Sequence, residues 1–316
     1  MRSPYNLDFN ILEKFSIHIL GCGSALPTVK HLPTTQVVSL RNKLYMIDCG
    51  EGAQLQLRKS HLSFSNLSHI FISHLHGDHC FGLPGLISTF SLLGRKTPLH
   101  IYAPTPLKGL LNPWLNFFCK GMTFPVEIHS IDTEVTEKIY EDSALSVTTI
   151  PLSHRIPCCG FLFEEKPSLP HIRRDMIDYL EIPHFEINRI KQGGDWTTAD
   201  GRYFRHEQLV IPANLPRSYA YCSDTAYLPN LKEQLKNVNL LFHETTFLQT
   251  DVQRAEETYH TTALQAATIA RDSQVKSLLI GHFSARYPNE QILLEEAKNI
   301  FTNTQLATEG LVVEVV

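Results

Sequence analysis

His74-Leu75-His76-Gly77-Asp78-His79 packs four residues of metal-ligand type into six positions. The segment before it, Ser68-His69-Ile70-Phe71-Ile72-Ser73, is apolar, β-branched and aromatic, and reads as a buried strand. The cluster therefore falls in a loop at that strand's C-terminal edge. In an extended chain residues i and i+2 point to one side, which places His74 and His76 to share one ion. Gly77 then relaxes the backbone, so that Asp78 and His79 turn toward a second. Four polar side chains withdrawn from water need partners, and a pair of metal ions supplies them.

Upstream, residues 15–20 alternate as a strand and stop at Gly21-Cys22-Gly23-Ser24, a turn without the lysine of a phosphate-binding loop. Strands are predicted at 35–40 and 43–48, and Asp48-Cys49-Gly50-Glu51-Gly52 breaks the second before a helix through Arg58. Downstream, 81–93 reads as a helix and 99–103 as a strand. A strand pair around 126–131 and 145–150 leads to His154. Across 165–208 the hydrophobic pattern thins and Pro167, Pro170 and Pro183 punctuate two short helical pieces, which predicts a protruding insertion. Core rhythm resumes at 218–222, ending in Ser223-Asp224-Thr225, and at 239–246, which carries His243 and Glu244. A helix follows His260-Thr261-Thr262, where Thr262 and Gln265 have capping-box spacing, and the strand 277–281 ends at His282. Strands alternating with helices predict a layered α/β or α+β design, with no compositional linker and no short-period repeat.

The 316 residues, 43% hydrophobic and 19% charged, suit one large domain with a substantial core. A net charge of -4 gives no overall attraction to a polyanion, so any nucleic-acid surface must be local. Seven scattered cysteines without a CxxC argue for a reduced compartment, and the vicinal Cys158-Cys159 reads as packing. Asp8 and Glu13 interrupt the apolar positions of the first fifteen residues, leaving no signal-peptide core. No apolar run reaches spanning length, so a soluble cytoplasmic protein with no membrane partner is expected.

His74, His76, Asp78, His79, His154, Asp224, Glu244 and His282 all follow or end predicted strands, and function in layered folds gathers at such edges. Singly, His154 or His282 also suits a structural role and Asp224 a turn. Together they make a suitable donor set for a dinuclear site. In these residues the sequence resembles the metallo-β-lactamase superfamily over nearly the whole chain. The cluster at 74–79 and Ser223-Asp224-Thr225 match its HxHxDH and bridging-aspartate motifs. His243-Glu244-Thr245-Thr246, His260-Thr261-Thr262 and Gly281-His282-Phe-Ser-Ala-Arg-Tyr287 are similar to motifs of its ribonuclease Z family.

The resemblance implies a four-layer αββα sandwich over 1–316, with the insertion at 165–208 as a tRNA-gripping arm. It implies two zinc ions, one on His74, His76 and His154, the other on Asp78, His79 and His282, with Asp224 bridging. Asp78 would orient the attacking water and accept its proton, and His260, held by Glu244, would act as general acid. The substrate implied is precursor tRNA, cut at the 3′ end of the acceptor stem and gripped through Arg173, Arg174, Arg189 and Lys191. A homodimer is the expected assembly. The arm departs from the family's usual Gly-Pro pair in a glycine-rich, basic context. Ile182-Pro183-His184-Phe185 stands there, and five basic residues between Lys166 and Lys191 (Lys166, Arg173, Arg174, Arg189, Lys191) meet four acidic ones (Asp175, Asp178, Glu181, Glu186). The alternative activity is a general zinc phosphodiesterase acting on small or cyclic diesters, which needs no arm.

Overall fold

The computed structural model describes residues 14–26 and 28–316. Most of the segment read for a leader, 1–13, lies outside them. Among the described residues no helix is long and apolar enough to cross a membrane, and all seven cysteines are free thiols.

The chain first builds one sheet from β1 (Phe15–Gly21), β2 (Thr35–Leu40), β3 (Lys43–Ile47), β4 (Leu67–Phe71), β5 (Leu99–Pro104) and β6 (Val126–Ile131). It then builds a second from β7 (Lys138–Glu141), β8 (Leu145–Pro151) and β9 (Cys159–Glu165). Four two-residue strands follow, β10 (His171–Ile172), β11 (Trp196–Thr197), β12 (Tyr203–Phe204) and β13 (Val210–Ile211). The chain returns to the second sheet with β14 (Ser218–Cys222), β15 (Leu240–Glu244), β16 (Ser277–Gly281) and β17 (Thr304–Leu306), and β18 (Val312–Glu314) closes on β1. The orders are β18-β1-β2-β3-β4-β5-β6 and β17-β16-β15-β14-β9-β8-β7. The predicted pair 126–131 and 145–150 is therefore corrected. β6 pairs with β5 and β8 with β7, so the two strands are in different sheets, because the chain crosses from one sheet to the other between them.

Neighbouring side chains point to opposite faces of a strand. On β2, Val38 joins the core shared with the second sheet, and Val37 faces the other way, into a second core. Phe15, Ile17, Ile19, Tyr45 and Phe71 of the first sheet meet Val147, Phe161, Phe163, Tyr219 and Tyr221 of the second. Phe71 sits against Phe161 and Phe163 at centroid distances of 5.7 and 5.5 Å, and truncation there to Ala would cost about 3–5 kcal/mol. The outer face of the first sheet is covered by α1 (Ala53–Lys59), α3 (Gly82–Leu92) and α4 (Pro106–Phe118). Between α1 and α3 lies the single turn α2 (Gly77–Cys80). The result is two large sheets flanked by helices, as the sequence predicts.

Residues Glu165–Pro216 form a separate compact unit. It holds β10 to β13 and the helices α5 (Arg174–Tyr179), α6 (His184–Lys191) and α7 (His206–Leu209). Its own small core joins Leu180, Ile182, Ile190, Leu209 and Val210. Pro183 sets the entry to α6, where a residue with fixed φ and no N–H fits a helix start. After this unit, α8 (Leu231–Gln234), α9 (Val252–Thr258), α10 (Ala263–Asp272) and α11 (Gln291–Lys298) complete the chain. Ala263, Ala267 and Ile269 of α10 and Leu293 and Ala297 of α11 pack into the core of the second sheet. α10 starts with the predicted capping box, Thr262 Oγ1 accepting from Gln265 N–H.

Candidate metal centre

The carboxyl ends of β4, β8, β14, β15 and β16 converge on a cavity of about 690 Å³ lined by His76, Asp78, His154, Asp224, His260 and His282, among others. His74 and His79 are buried behind them. The one-turn helix α2 departs from the simple loop expected after β4, and Gly77, its first residue, does not use the backbone freedom predicted for it. Gly77 has no positive φ. A Cβ there would fall 2.3 Å from the ring of Phe81, an exposed side chain that would have to swing aside. Gly50 is the glycine needed for space, since its Cβ would meet the backbone oxygen of Asp78 at 2.6 Å. Three other residues at strand ends, Asp48, Asp224 and His282, do take left-handed φ values of 55°, 52° and 60°. Such backbone is costly for residues other than glycine and is held only where the surroundings enforce it.

Two groups of donor atoms form. In the first, His76 Nδ1 lies 3.0 Å from His74 Nε2 and 3.2 Å from His154 Nε2. Asp224 Oδ2 is 3.6 Å from both Nε2 atoms. In the second, His79 Nε2 is 3.3 Å from Asp78 Oδ2 and 3.3 Å from Asp224 Oδ1. His282 Nε2 is 3.1 Å from Asp224 Oδ1. One oxygen of Asp224 thus faces each group.

The hydrogen-bond network behind the rings fixes which nitrogen is bare. His79 Nδ1–H donates to Asp48 Oδ2 at 2.7 Å. His74 Nδ1–H donates to Ser73 Oγ at 3.0 Å, and Ser73 Oγ donates on to Asp48 at 2.9 Å. His154 Nδ1–H donates to the carbonyl of Tyr259 at 3.0 Å, which the left-handed Tyr259 turns toward it. Thr246 Oγ1 donates to Glu244 Oε2 at 2.5 Å, so at 2.9 Å it accepts from His282 Nδ1–H. Each of these four imidazoles therefore presents Nε2, as ligating histidines do.

The donor set fits metal. His76 Nδ1 carries at most one hydrogen, so at most one of its two short nitrogen contacts is a hydrogen bond. Asp78 Oδ2, His79 Nε2 and His282 Nε2 are buried with no hydrogen-bond partner, a costly condition unless a cation is shared. Ligand atoms around a tetrahedral zinc stand about 3.3 Å apart, close to these separations. Burial, and then the neighbouring His79, hold His74 well below the ordinary histidine range, so its lone pair is available. Burial alone would raise Asp224, but His282, His79 and His74 around it keep it well below the usual carboxylate range.

Beside these groups, Glu244 is fully buried and accepts from Thr225 N–H (2.9 Å), Thr246 N–H (3.1 Å) and His260 Nδ1–H (2.7 Å). Burial disfavours charge on His260, yet the Glu244 carboxylate and its hydrogen bond raise it to about 9. Glu244 itself is pulled down to about 2, against its burial, by His260.

A family model described as anti-Pycsar protein Apyc1 matches residues 15–167. The chain is 61% identical over 304 residues to a ribonuclease Z of Phocaeicola vulgatus, covering 96% of this chain and 98% of that one. It is 60% identical over 300 residues to a ribonuclease Z of Bacteroides fragilis, covering 95% and 99%. The chain belongs to the ribonuclease Z family. Among solved structures it resembles the short form of human tRNase Z, with 25% identity, a TM-score of 0.70, and 95% and 99% of the two chains covered.

For this member of the ribonuclease Z family, the sequence did not single out the residues that aim the candidate ligands. Asp48, Ser73, Thr246 and the Tyr259 carbonyl do so, and Tyr221 O–H also anchors Asp48 at 2.7 Å. Asp48 stands at the end of a strand before Cys49-Gly50, the same position that singled out the other site residues, and that was the available signal. Arg155 and Arg254 at the cavity wall were not singled out either, and Arg286, within the 281–287 motif, was given no role of its own. In the separate unit, Arg173 pairs with Asp175 at 2.8 Å and Arg189 with Glu186 at 2.5 Å. Arg174 is exposed and Lys191 half-buried. Two of the four predicted tRNA contacts are therefore engaged locally, in exposed pairs worth no more than about 1 kcal/mol.

Proposed function

We propose that this member of the ribonuclease Z family is a two-zinc endoribonuclease that removes the 3′ trailer from precursor tRNA. The observation that carries the proposal is Asp224 facing both donor groups beside the buried Glu244–His260 pair. His74, His76 and His154 would hold one zinc, Asp78, His79 and His282 the other, and Asp224 both. The chemistry such ions supply when bound is acidification of a water and neutralisation of charge on phosphoryl oxygens.

The protein's own groups do the rest. Asp78 orients the attacking water and takes its proton. As the bond from phosphorus to the ribose 3′-oxygen breaks, that poor leaving group takes a proton from His260 Nε2–H, and Glu244 keeps the imidazole charged and aimed. The tRNA leaves with a 3′-hydroxyl and the trailer with a 5′-phosphate. Arg155, Arg254 and Arg286 supply positive charge for the RNA backbone at the cavity.

The insertion at 165–208, within the compact unit Glu165–Pro216, is read as the tRNA-gripping arm, with Arg173, Arg174, Arg189 and Lys191 on phosphates. A homodimer is supported by exposed apolar side chains on α4, Leu110, Phe117 and Phe118, which suit burial against a second copy. Free thiols support a cytoplasmic location.

The test is cleavage of a precursor tRNA bearing a 3′ trailer by the zinc-loaded protein and by Asp78→Ala. One cut beside the acceptor stem, absent in the variant, is expected. Hydrolysis of a small diester with no such cut would move the reading to the general phosphodiesterase.

A further inference from the structure

A second cluster of metal-ligand residues lies on the first sheet, away from the cavity lining. In the parallel ladders His69 pairs with His100, His100 with Glu127, and Tyr102 with His129. Paired residues on adjacent strands share a face, and residues two apart on β6 share it too. Glu127 and His129 therefore flank His100 on one side of the sheet. His100 Nδ1 is 3.1 Å from His129 Nε2 and 3.3 Å from Glu127 Oε2, and the three atoms lie within 4.8 Å of one another.

Hydrogen bonding accounts for only part of this arrangement. One hydrogen on His100 Nδ1 serves either Glu127 or His129, and the other contact is left without one. The separations are instead close to the roughly 3.3 Å between ligand atoms of a tetrahedral zinc site. Both rings are already held in place. His69 stacks on His100 at 5.0 Å and 15°, and Tyr102 stacks on His129 at 4.6 Å and 16°. None of the three donors is used by the reaction described above.

We propose that His100, Glu127 and His129 form an additional cation site for a divalent transition metal. Two imidazoles and a carboxylate favour zinc, nickel or copper over magnesium or calcium, which prefer all-oxygen shells. The side chain of Glu127 is 48% exposed, which leaves an open position for water. The ion ties β6, the last strand in that sheet's order, to β5 through side chains in addition to the backbone ladder.

The test is equilibrium dialysis of the chelator-stripped full chain against Zn²⁺, with bound metal counted by mass spectrometry. Wild type, His129→Asn and Glu127→Gln are compared, and precursor-tRNA cleavage is measured on the same samples. The expected result is one equivalent fewer in His129→Asn, with cleavage unchanged. Glu127→Gln changes only an exposed side chain, so it keeps the test valid where His129→Asn does not fold. Equal counts in wild type and in every folded variant would overturn the site. A lost equivalent accompanied by lost cleavage would assign that ion to the cavity, and overturns the site equally. Because the count is a difference between proteins, it stands whether the cavity itself holds two ions or one.

Discussion

His260 Nδ1 lies 2.7 Å from Glu244 Oε1, with the carboxylate fully buried and the imidazole at the cavity wall. All of Glu244's other hydrogen bonds come from Thr225 and Thr246, so its charge is directed at one ring. The rate should therefore depend on that ring being protonated. With His260 raised to about 9, cleavage falls as pH rises through about 9. In Glu244→Gln the alkaline limb should move down toward the ordinary histidine value of 6.5. His260→Ala should lose about 10²- to 10⁴-fold in rate while keeping its metal. A pH–rate profile of the three proteins, with metal counted in each, checks this, and an unshifted alkaline limb in Glu244→Gln would remove the pair from the mechanism.

Asp48 touches no proposed ion yet holds His79 directly and His74 through Ser73. Asp48→Asn should weaken metal affinity by about 10- to 100-fold, measured by competition with a chromophoric chelator. Asp224→Ala should do more, lowering the occupancy of both groups, because its two oxygens face different groups. Full occupancy in Asp224→Ala would contradict the bridging role.

His31 lies 3.0 Å from Glu309 and 3.0 Å from Glu290, tying the segment after β1 to the C-terminal part of the chain. Hydrogen bonding to Glu309 raises His31 against its burial. Burial opposes ionisation of Glu309 and Glu290, but hydrogen bonds hold both below the usual range. The raised histidine contributes stability that is present below 6.5 and lost as pH rises through its folded value. The lowered glutamates contribute stability present above 4.5 and lost as pH falls through theirs. The Tm difference between wild type and His31→Gln should thus be largest between about pH 4.5 and 6.5 and shrink on both sides. A difference that is flat across that range in thermal melts would show that the triad contributes no charge-dependent stability.

Deleting 165–208 should abolish tRNA cleavage and spare hydrolysis of a small diester, because the unit has its own core and the donor groups lie outside it. Arg174→Ala should reduce the slope of log affinity against log salt by about one. Salt-insensitive tRNA binding would count against this surface.

The candidate ligands are legible in the sequence because all seven, His74, His76, Asp78, His79, His154, Asp224 and His282, follow predicted strands, and the structure brings their donor atoms together in two groups. A layered design is legible too, from strands alternating with helices, whereas the order of the layers comes only from the family resemblance. The supporting roles are harder to read, because Asp48 meets Ser73, His79 and Tyr221, Thr246 meets His282 and the Tyr259 carbonyl meets His154 only once the chain has folded. The assignment of 126–131 and 145–150 to separate sheets was hidden for the same reason, since adjacency in sequence does not report which neighbour a strand bonds. Gly77 reads as a backbone hinge in the sequence, yet its φ is one that any residue adopts.

The most direct test of the central claim is the chemistry of the ends produced from a precursor tRNA by the zinc-loaded protein. Water attack with His260 protonating the leaving oxygen predicts a single cut beside the acceptor stem, with a 3′-hydroxyl on the tRNA and a 5′-phosphate on the trailer. A 2′,3′-cyclic phosphate on the tRNA would mean that the RNA's own 2′-oxygen attacked, and would contradict the account.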